Sequence, residues 1–367
     1  MTSSSAAPTV IVVSNFSKPG RGTHVVGKQL ARLPSCQVVR FDAMDERGMR
    51  GPLITLAALL SLLRLMRRHP AAILLADTAQ GLRLARLAML VMPSRRYVIR
   101  YGNVFHPPGP DERGWSRAAL KRRLYDGALR RADHVVVPSE AARTSLVNAG
   151  VKPASDVTVI PNGRDFPTSH PVSIVEGERP RLRIVGRLDD RKDPRTAIEA
   201  LAVLRERHGI DPRLDVIGDG PDRDRVAQLA RDLGLAGEVV FHGLVANPWA
   251  ALSPNTVLLH PARYEGFGYV VLEAIAHGVP SVAFAGSGGP EEIIEATGGG
   301  LVVAERSAEA LAEGIAYLLG DLNALRARAQ AAQRVIRTRY GAAAMVEGYD
   351  ELLRALAEGA GKVRGAS

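Results

Sequence analysis

Two glutamates stand eight residues apart in the stretch YEGFGYVVLEAIAHGVPSVAFAGSGGPEEII (residues 264–294), with a glycine-rich turn between them. Glu265 precedes Gly266, Phe267 and Gly268. The apolar run 269–276 then carries Glu273, about two turns or about 12 Å along if the rise is helical. A helix N-terminus offers unpaired amides and partial positive charge, which suits a phosphate. A carboxylate on either side of it accepts hydrogen bonds from sugar hydroxyls. These residue types at this spacing are therefore suited to a nucleotide diphosphate carrying a sugar, with the sugar at Glu265, the diphosphate at the turn and the ribose at Glu273. Taken alone, the same residues also read as two solvated charges flanking an ordinary turn.

Their company argues otherwise. Upstream stand VGRLDDRKDP (residues 185–194) and LDVIGDGP (214–221), and the stretch itself closes on GSGGPEEII (286–294). Each reads as a strand end that breaks into a turn and then a helix. In this order the segments resemble the C-terminal half of glycosyltransferase family 4, also called glycosyltransferase group 1, whose members are retaining nucleotide-sugar transferases. The resemblance implies an α/β chain of GT-B architecture, with two facing Rossmann-like doubly wound parallel-sheet domains and a cleft between them. It also implies that Gly186, Arg187, Lys192, Glu265, Gly266, Phe267, Gly268 and Glu273 bind the donor, and that Glu265, Arg187 and Lys192 are catalytic. A guanidinium fork and an ammonium point charge are apt for two phosphates, and the amides of 266–268 would add donors toward developing charge.

The first half resembles the family in SKPGRGTHVVGKQLARL (17–33), ADHVVVPSEAARTSL (132–146) and VIPNGRDF (159–166). Gly20 and Gly22 match its glycine-rich loop on the acceptor side. Many members carry a histidine near the end of the strand that reads VIRYGN here. Tyr101 takes that place, with Asn103 and His106 nearby. Asp222 and Asp224 follow GDGP and read as the start of a helix rather than a magnesium site. Gly218 and Gly220 do not complete a dinucleotide fingerprint. The expectation is a transferase that uses no metal and no cofactor, the nucleotide sugar being a substrate.

The elements that position these residues alternate. Strand-like runs at 10–14, 37–41, 72–76, 97–101, 134–137 and 157–160, and again at 182–185, 214–217, 239–241, 257–259, 281–284 and 301–303, are separated largely by helical patterns. This is the signature of parallel doubly wound sheets. The period lapses over 166–180, which is rich in Pro, Ser and Thr. The expected division is an acceptor-side domain at 1–165, a linker at 166–180, a nucleotide-sugar-binding domain at 181–340, and a terminal helix at 341–367 packing back toward the first domain.

Charge is uneven. Lys plus Arg less Asp plus Glu is 25 − 11 = +14 for residues 1–170 and 23 − 27 = −4 for 171–367, which together make the net +10. Such a first half points to an anionic partner: a membrane surface, an anionic acceptor or nucleic acid. WSRAALKRRLYDGALRR (115–131) reads as a basic amphipathic helix, either interfacial or packed on its own domain. No nucleic-acid motif accompanies it, so no nucleic-acid partner is expected. The most apolar stretch, 53–66, falls short of the about 20 residues a membrane span requires and is expected to be a buried helix. Cys36 is the only cysteine, which excludes an intrachain disulfide. With no basic leader at the start, a cytoplasmic protein is expected, peripheral on the inner membrane face. Its partners would be a nucleotide-diphosphate sugar, uridine favoured over guanosine, and a lipid-linked or polysaccharide-precursor glycan. Two competing readings remain open: another GT-B enzyme such as a nucleotide-sugar epimerase, and a non-catalytic anionic-ligand binder.

Overall fold

Runs such as Thr9–Ser14 (TVIVVS) and Ile73–Ala76 (ILLA) lack a polar face because helices cover the strands they form on both sides. The computed structural model describes residues 7–16, 22–43, 52–106, 117–166, 175–250, 252–253 and 255–359. The chain divides into two compact units, Met1–Asp165 with Tyr340–Ser367, and Phe166–Arg339.

In chain order the first unit holds β1 (Thr9–Ser14), α1 (Gly22–Leu30), β2 (Gln37–Asp42), α2 (Pro52–Arg68), β3 (Ile73–Ala76), α3 (Ala79–Val91), β4 (Arg96–Arg100), α4 (Arg117–Arg131), β5 (His134–Val137), α5 (Glu140–Asn148) and β6 (Val157–Val159). The strands form one parallel sheet in the order β2-β1-β3-β4-β5-β6. Alternate residues of each strand face opposite sides, so the sheet has two cores. Ile11, Val13, Leu74 and Ile99 pack with Leu62 and Met66 of α2, Leu82 of α3 and Leu129 of α4. Val10, Val12, Ile73 and Leu75 pack on the other face with Val26 and Leu30 of α1. Thr78 and Ser139 start α3 and α5 by accepting the amides of Gly81 and Ala142.

The second unit holds β7 (Arg181–Val185), α6 (Pro194–His208), β8 (Arg213–Ile217), α7 (Arg223–Asp232), β9 (Val239–Gly243), β10 (Thr256–His260), α8 (Tyr269–Ala276), β11 (Ser281–Phe284), α9 (Gly289–Thr297), β12 (Gly300–Val303), α10 (Ala308–Leu319) and α11 (Leu322–Arg339). Its parallel sheet runs β12-β11-β10-β7-β8-β9. The last helix, α12 (Ala342–Glu358), belongs to the first unit, where Met345, Tyr349 and Leu353 join the core that holds α1. A side chain at Gly163 would put a Cβ 2.3 Å from the Gly341 carbonyl oxygen, so the Pro-Asn-Gly turn is what lets the chain return there.

All twelve expected strands are present, each end within two residues of its expected place. The apolar stretch at 53–66 departs from expectation. Leu62, Leu63 and Met66 of α2 are buried, but Leu56 and Leu60 are 52% and 45% exposed. The run is apolar all round while only one side of the helix reaches a core. Among the described residues, no helix is long and apolar enough to cross a membrane.

Candidate active site

Ligands of doubly wound sheets sit at the carboxyl ends of the strands where the strand order reverses. In the second unit that reversal lies between β7 and β10. Gly186 follows β7, His260 ends β10, and Lys192 and Glu265 stand in the turns beyond them.

The turn after β7 is shaped by its neighbour. Gly186 adopts φ 146°. Gly218 adopts φ 135°, and a Cβ there would fall 1.8 Å from the Gly186 carbonyl oxygen. The IGDGP turn is thus pressed against the GRL turn, and its first glycine is required on both backbone and steric grounds. Asp189 receives the Lys192 amide at its carboxylate, 3.0 Å. Asp193 is held left-handed at φ 49° before Pro194 opens α6. The Lys192 side chain therefore turns inward, 9% exposed for the residue, and its Nζ donates to Glu265 Oε2 at 2.8 Å.

Glu265 is fixed from behind by the GSGGP segment. Its amide donates to the Ser287 carbonyl at 2.9 Å and its carbonyl accepts the Gly289 amide at 3.1 Å. A Cβ on Gly289 would meet the Phe267 oxygen at 2.3 Å, which explains the paired glycines before Pro290. Arg306 braces the strand exit by donating to the carbonyls of Pro261 and Ala262 at 2.8 and 3.1 Å. His260 Nε2 lies 2.9 Å from the same Oε2 that Lys192 holds. Both contacts fall on one oxygen, Oε2, and the Glu265 side chain remains 22% exposed.

Burial alone would raise the Glu265 pKa. The His260 ring and then the Lys192 charge overcome it and hold the carboxyl well below the usual carboxylate range. His260 is pushed down by burial and by Lys192, against the pull of Glu265, so the ring is neutral at neutral pH. The result is an ionised carboxylate between a buried cation and a neutral imidazole.

Glu273 stands only one turn into α8, because residues 265–268 are not helical and Gly268 is the N-cap residue at φ 93°. The shorter path brings it to Trp249, whose Nε1 donates to Glu273 Oε2 at 3.0 Å. Trp249 stacks on His277, centroids 5.8 Å apart, and His277 Nδ1 lies 2.8 Å from the Glu273 carbonyl. Arg183 donates to the Pro248 carbonyl at 2.6 Å and to buried Asp215, tying the tryptophan loop to the sheet. Arg187 points outward, its side chain 68% exposed, with Asp189 at 3.2 Å. Residues 266–268 are buried. Asp222 occupies the N-cap position of α7, yet its carboxylate takes Arg225 at 3.4 Å rather than an amide.

In the first unit, Gly20 lies outside the described residues and Gly22 opens α1. Tyr101 is a core residue, 5% exposed, edge-on to Tyr125 at 5.8 Å with its hydroxyl donating to the Val104 carbonyl. Asn103 is exposed. His106 is half-buried, its carbonyl accepting Arg122, and burial followed by that guanidinium lowers its pKa. The strand order of this sheet reverses between β1 and β3, where a cluster absent from the sequence reading sits. Ser14, Asp77, Arg100 and Asn162 are all at most 4% exposed. Arg100 donates to Asn162 Oδ1 at 2.6 Å, while neither Asp77 oxygen has a hydrogen-bond partner in the structure. Burial raises the Asp77 carboxyl to about 6, although Arg100 and Ser14 oppose the shift.

His260 and Trp249 are the residues of the second site that sequence reasoning missed. His260 is the end of an apolar strand and Trp249 a lone loop aromatic, so neither shows a spacing signal. The contacts with the two glutamates single them out.

Comparison with known proteins agrees with this geometry. Residues 5–166 match the model for Glycosyltransferase Family 4 and residues 165–335 the model for Glycosyl transferases group 1. An exopolysaccharide phosphotransferase of Streptomyces coelicolor is 34% identical over 61% of this chain, but the match spans only 23% of that protein's length. A GDP-mannose-dependent alpha-(1-6)-phosphatidylinositol monomannoside mannosyltransferase of Mycobacterium tuberculosis is 30% identical over 69% of this chain and 74% of its own. Among solved structures, HepE of Anabaena in complex with UDP superposes with TM-score 0.69 at 20% identity, covering 95% of this chain and all of HepE. Two doubly wound sheets, a glutamate pair at a strand-order reversal and these matches lead to one conclusion: the chain is a glycosyltransferase of group 1, family 4, with the GT-B fold.

Proposed function

We propose that this chain moves a sugar, with retention of anomeric configuration, from a nucleotide-diphosphate sugar to a hydroxyl of a lipid-linked or polysaccharide-precursor glycan. The observation that carries the reading is the meeting of Lys192 and Glu265, 2.8 Å apart, beside the start of α8. No side chain caps the start of α8, and a helix N-terminus suits an oxygen acceptor such as phosphate.

In this reading Arg187 and Lys192 neutralise the leaving diphosphate. Glu265 Oε1 accepts a hydroxyl of the donor sugar, and Glu273, oriented by the Trp249 indole, accepts the ribose hydroxyls. The acceptor oxygen attacks the anomeric carbon on the face that the diphosphate leaves. The bond from that carbon to the phosphate oxygen breaks as the new glycosidic bond forms, and the acceptor proton passes to the departing phosphate oxygen. No separate carboxylate base is required, and the cations supply the charge that a metal would otherwise supply. The Anabaena structure with UDP favours uridine. The mycobacterial relative named for GDP-mannose keeps guanosine in view. The reaction is placed in the cytoplasm, at the inner face of a membrane.

Calorimetric titration with UDP-glucose, UDP-galactose and GDP-mannose, with release of nucleoside diphosphate followed in the same samples, tests the proposal. Binding of at least one donor is expected. Failure to bind any of them would overturn it. Interconversion of sugars without diphosphate release would favour an epimerase instead.

A further inference from the structure

Five large hydrophobic side chains are exposed among the described residues of the first unit: Leu56, Leu60, Leu90, Val91 and Leu120, between 45% and 59%. All five lie on α2, α3 and α4. These helices are neighbours, α2 packing on α3 and α3 on α4. They bury their inner sides in the same core and so cover the same face of the sheet, the one away from α1 and α12. Scattered single hydrophobics need no explanation, but a set confined to three adjacent helices does.

The charge on these helices matches nothing else in the chain. They carry three, two and six basic residues, eleven in all, against Asp126 alone, a balance of 11 − 1 = +10 that equals the net charge of the whole chain. Asp126 is itself neutralised by Arg122 at 2.8 Å. On α2 the exposed residues Leu56, Leu60, Arg64 and Arg68 recur every fourth position, so apolar and cationic side chains share one stripe. Arg122 is not part of this outer surface. Its guanidinium is engaged by Asp126 and the His106 carbonyl and lies over the Phe105 ring, 4.9 Å from its centroid. The helices run antiparallel to the strands they connect, so their C-terminal ends share one edge. That edge holds Arg67, Arg68, Leu90, Val91, Arg130 and Arg131. It is opposite the strand ends that carry Ser14, Asp77 and Arg100. Beside it a hollow of about 210 Å³ is lined by Met89, Pro93, Arg130 and Arg131, together with Asp133 and the buried Lys152, whose Nζ donates to the Ala132 carbonyl.

We propose that the outer face of α2, α3 and α4 is the surface by which this chain docks on an anionic lipid bilayer. The leucines and Val91 enter the headgroup region, and the exposed arginines and Lys121 meet lipid phosphates. A protein partner would need complementary carboxylates and an apolar groove. A bilayer supplies negative charge and apolar depth over the whole face at once. The inference deepens the reading of a lipid-borne acceptor, since a docked enzyme meets that acceptor in two dimensions, but its test does not depend on catalysis.

The test is sedimentation of the full chain with vesicles of phosphatidylglycerol and phosphatidylcholine in equal parts, and with phosphatidylcholine alone. Binding is expected to the first and not the second, and to fall steeply at high salt. Arg67→Glu with Arg68→Glu, and Lys121→Glu with Arg131→Glu, should each weaken the partition by about fivefold or more per cation. Leu56→Ser with Leu60→Ser should weaken it without changing the salt dependence. Melting curves check that each variant folds, and the unmodified protein's lipid and salt dependence is decisive by itself. Equal binding to both vesicles, no binding to either, or variants that bind as the unmodified chain does would overturn the proposal. Titration of every variant with UDP and GDP keeps the donor reading separate: vesicle binding without nucleotide binding would sink that reading alone.

Discussion

Lys192 Nζ donates to Glu265 Oε2 at 2.8 Å across 73 residues of sequence, joining the turn after β7 to the turn after β10. Arg187, assigned to the same diphosphate, takes no part in this contact and points to solvent beside Asp189. The two cations therefore differ in what their removal does to the fold.

Arg187→Ala should leave the melting temperature unchanged, because the lost Asp189 pair is exposed. Turnover should fall tenfold to a hundredfold or more, from loss of a charge-assisted contact of about 1.5–3 kcal/mol that strengthens as charge develops. Lys192→Ala should lower turnover and also destabilise by about 1–3 kcal/mol, since it leaves a half-buried carboxylate without its cation. Thermal melts alongside steady-state kinetics distinguish them. Full turnover in folded Arg187→Ala removes that residue from the site.

The two glutamates should separate kinetically. Glu265→Gln is expected to depress kcat chiefly, and Glu273→Gln to weaken binding of the free nucleoside diphosphate about tenfold. Trp249→Phe removes the donor that orients Glu273 and should follow Glu273→Gln, more mildly. If Glu265→Gln weakens diphosphate binding as much as Glu273→Gln, the division into sugar and ribose ends is wrong.

Buried carboxyls should shape stability in opposite directions. Asp77 has its pKa raised to about 6 from 3.8, so its contribution is fully present below about pH 4 and is lost as pH rises through about 6, some ~3 kcal/mol in all. Glu265 and Asp215 are held low, so theirs is present above the ordinary carboxylate range and lost as pH falls below it. Urea unfolding of Asp77→Asn should lack the decline between about pH 4 and pH 6. An unchanged profile would remove Asp77 as its source.

Gly218→Ala places a Cβ 1.8 Å from the Gly186 carbonyl oxygen at φ 135°. The GRL turn must shift, costing about 1–3 kcal/mol. Nucleotide binding should weaken with stability, although residue 218 has no assigned ligand contact. A stable variant with unaltered binding would contradict the packing of the two turns.

Because Arg187 and Lys192 are assigned the charge of the leaving diphosphate, turnover should survive dialysis against EDTA. Loss of activity that magnesium restores would overturn that assignment.

Strands and turns were legible in the sequence because their signals lie in neighbouring residues. Branched apolar runs such as ILLA and SVAF, and turns such as IGDGP, carry their instructions within a few positions. The GRL and two-glutamate motifs could be placed at strand ends for the same reason. Burial on single helix faces was less legible. Leu56 and Leu60 of α2 read as core and are exposed, whereas Tyr101 read as a site residue and lies in the core. A uniformly apolar helix does not announce which side will meet the sheet, and a tyrosine after a strand can turn either way.

By itself the sequence determined two parallel sheets and the glycine turns at their strand ends, since each rests on local pattern or on motif order. Tertiary structure alone decided that Lys192 and His260 converge on one oxygen of Glu265, that Trp249 holds Glu273, and that Asp77 and Arg100 are buried at the reversal of the first sheet. The physical reason is the strand order. Placing β10 beside β7 and β3 beside β1 sets residues far apart in the chain at adjacent strand ends, and no spacing along the chain encodes which strand ends become neighbours.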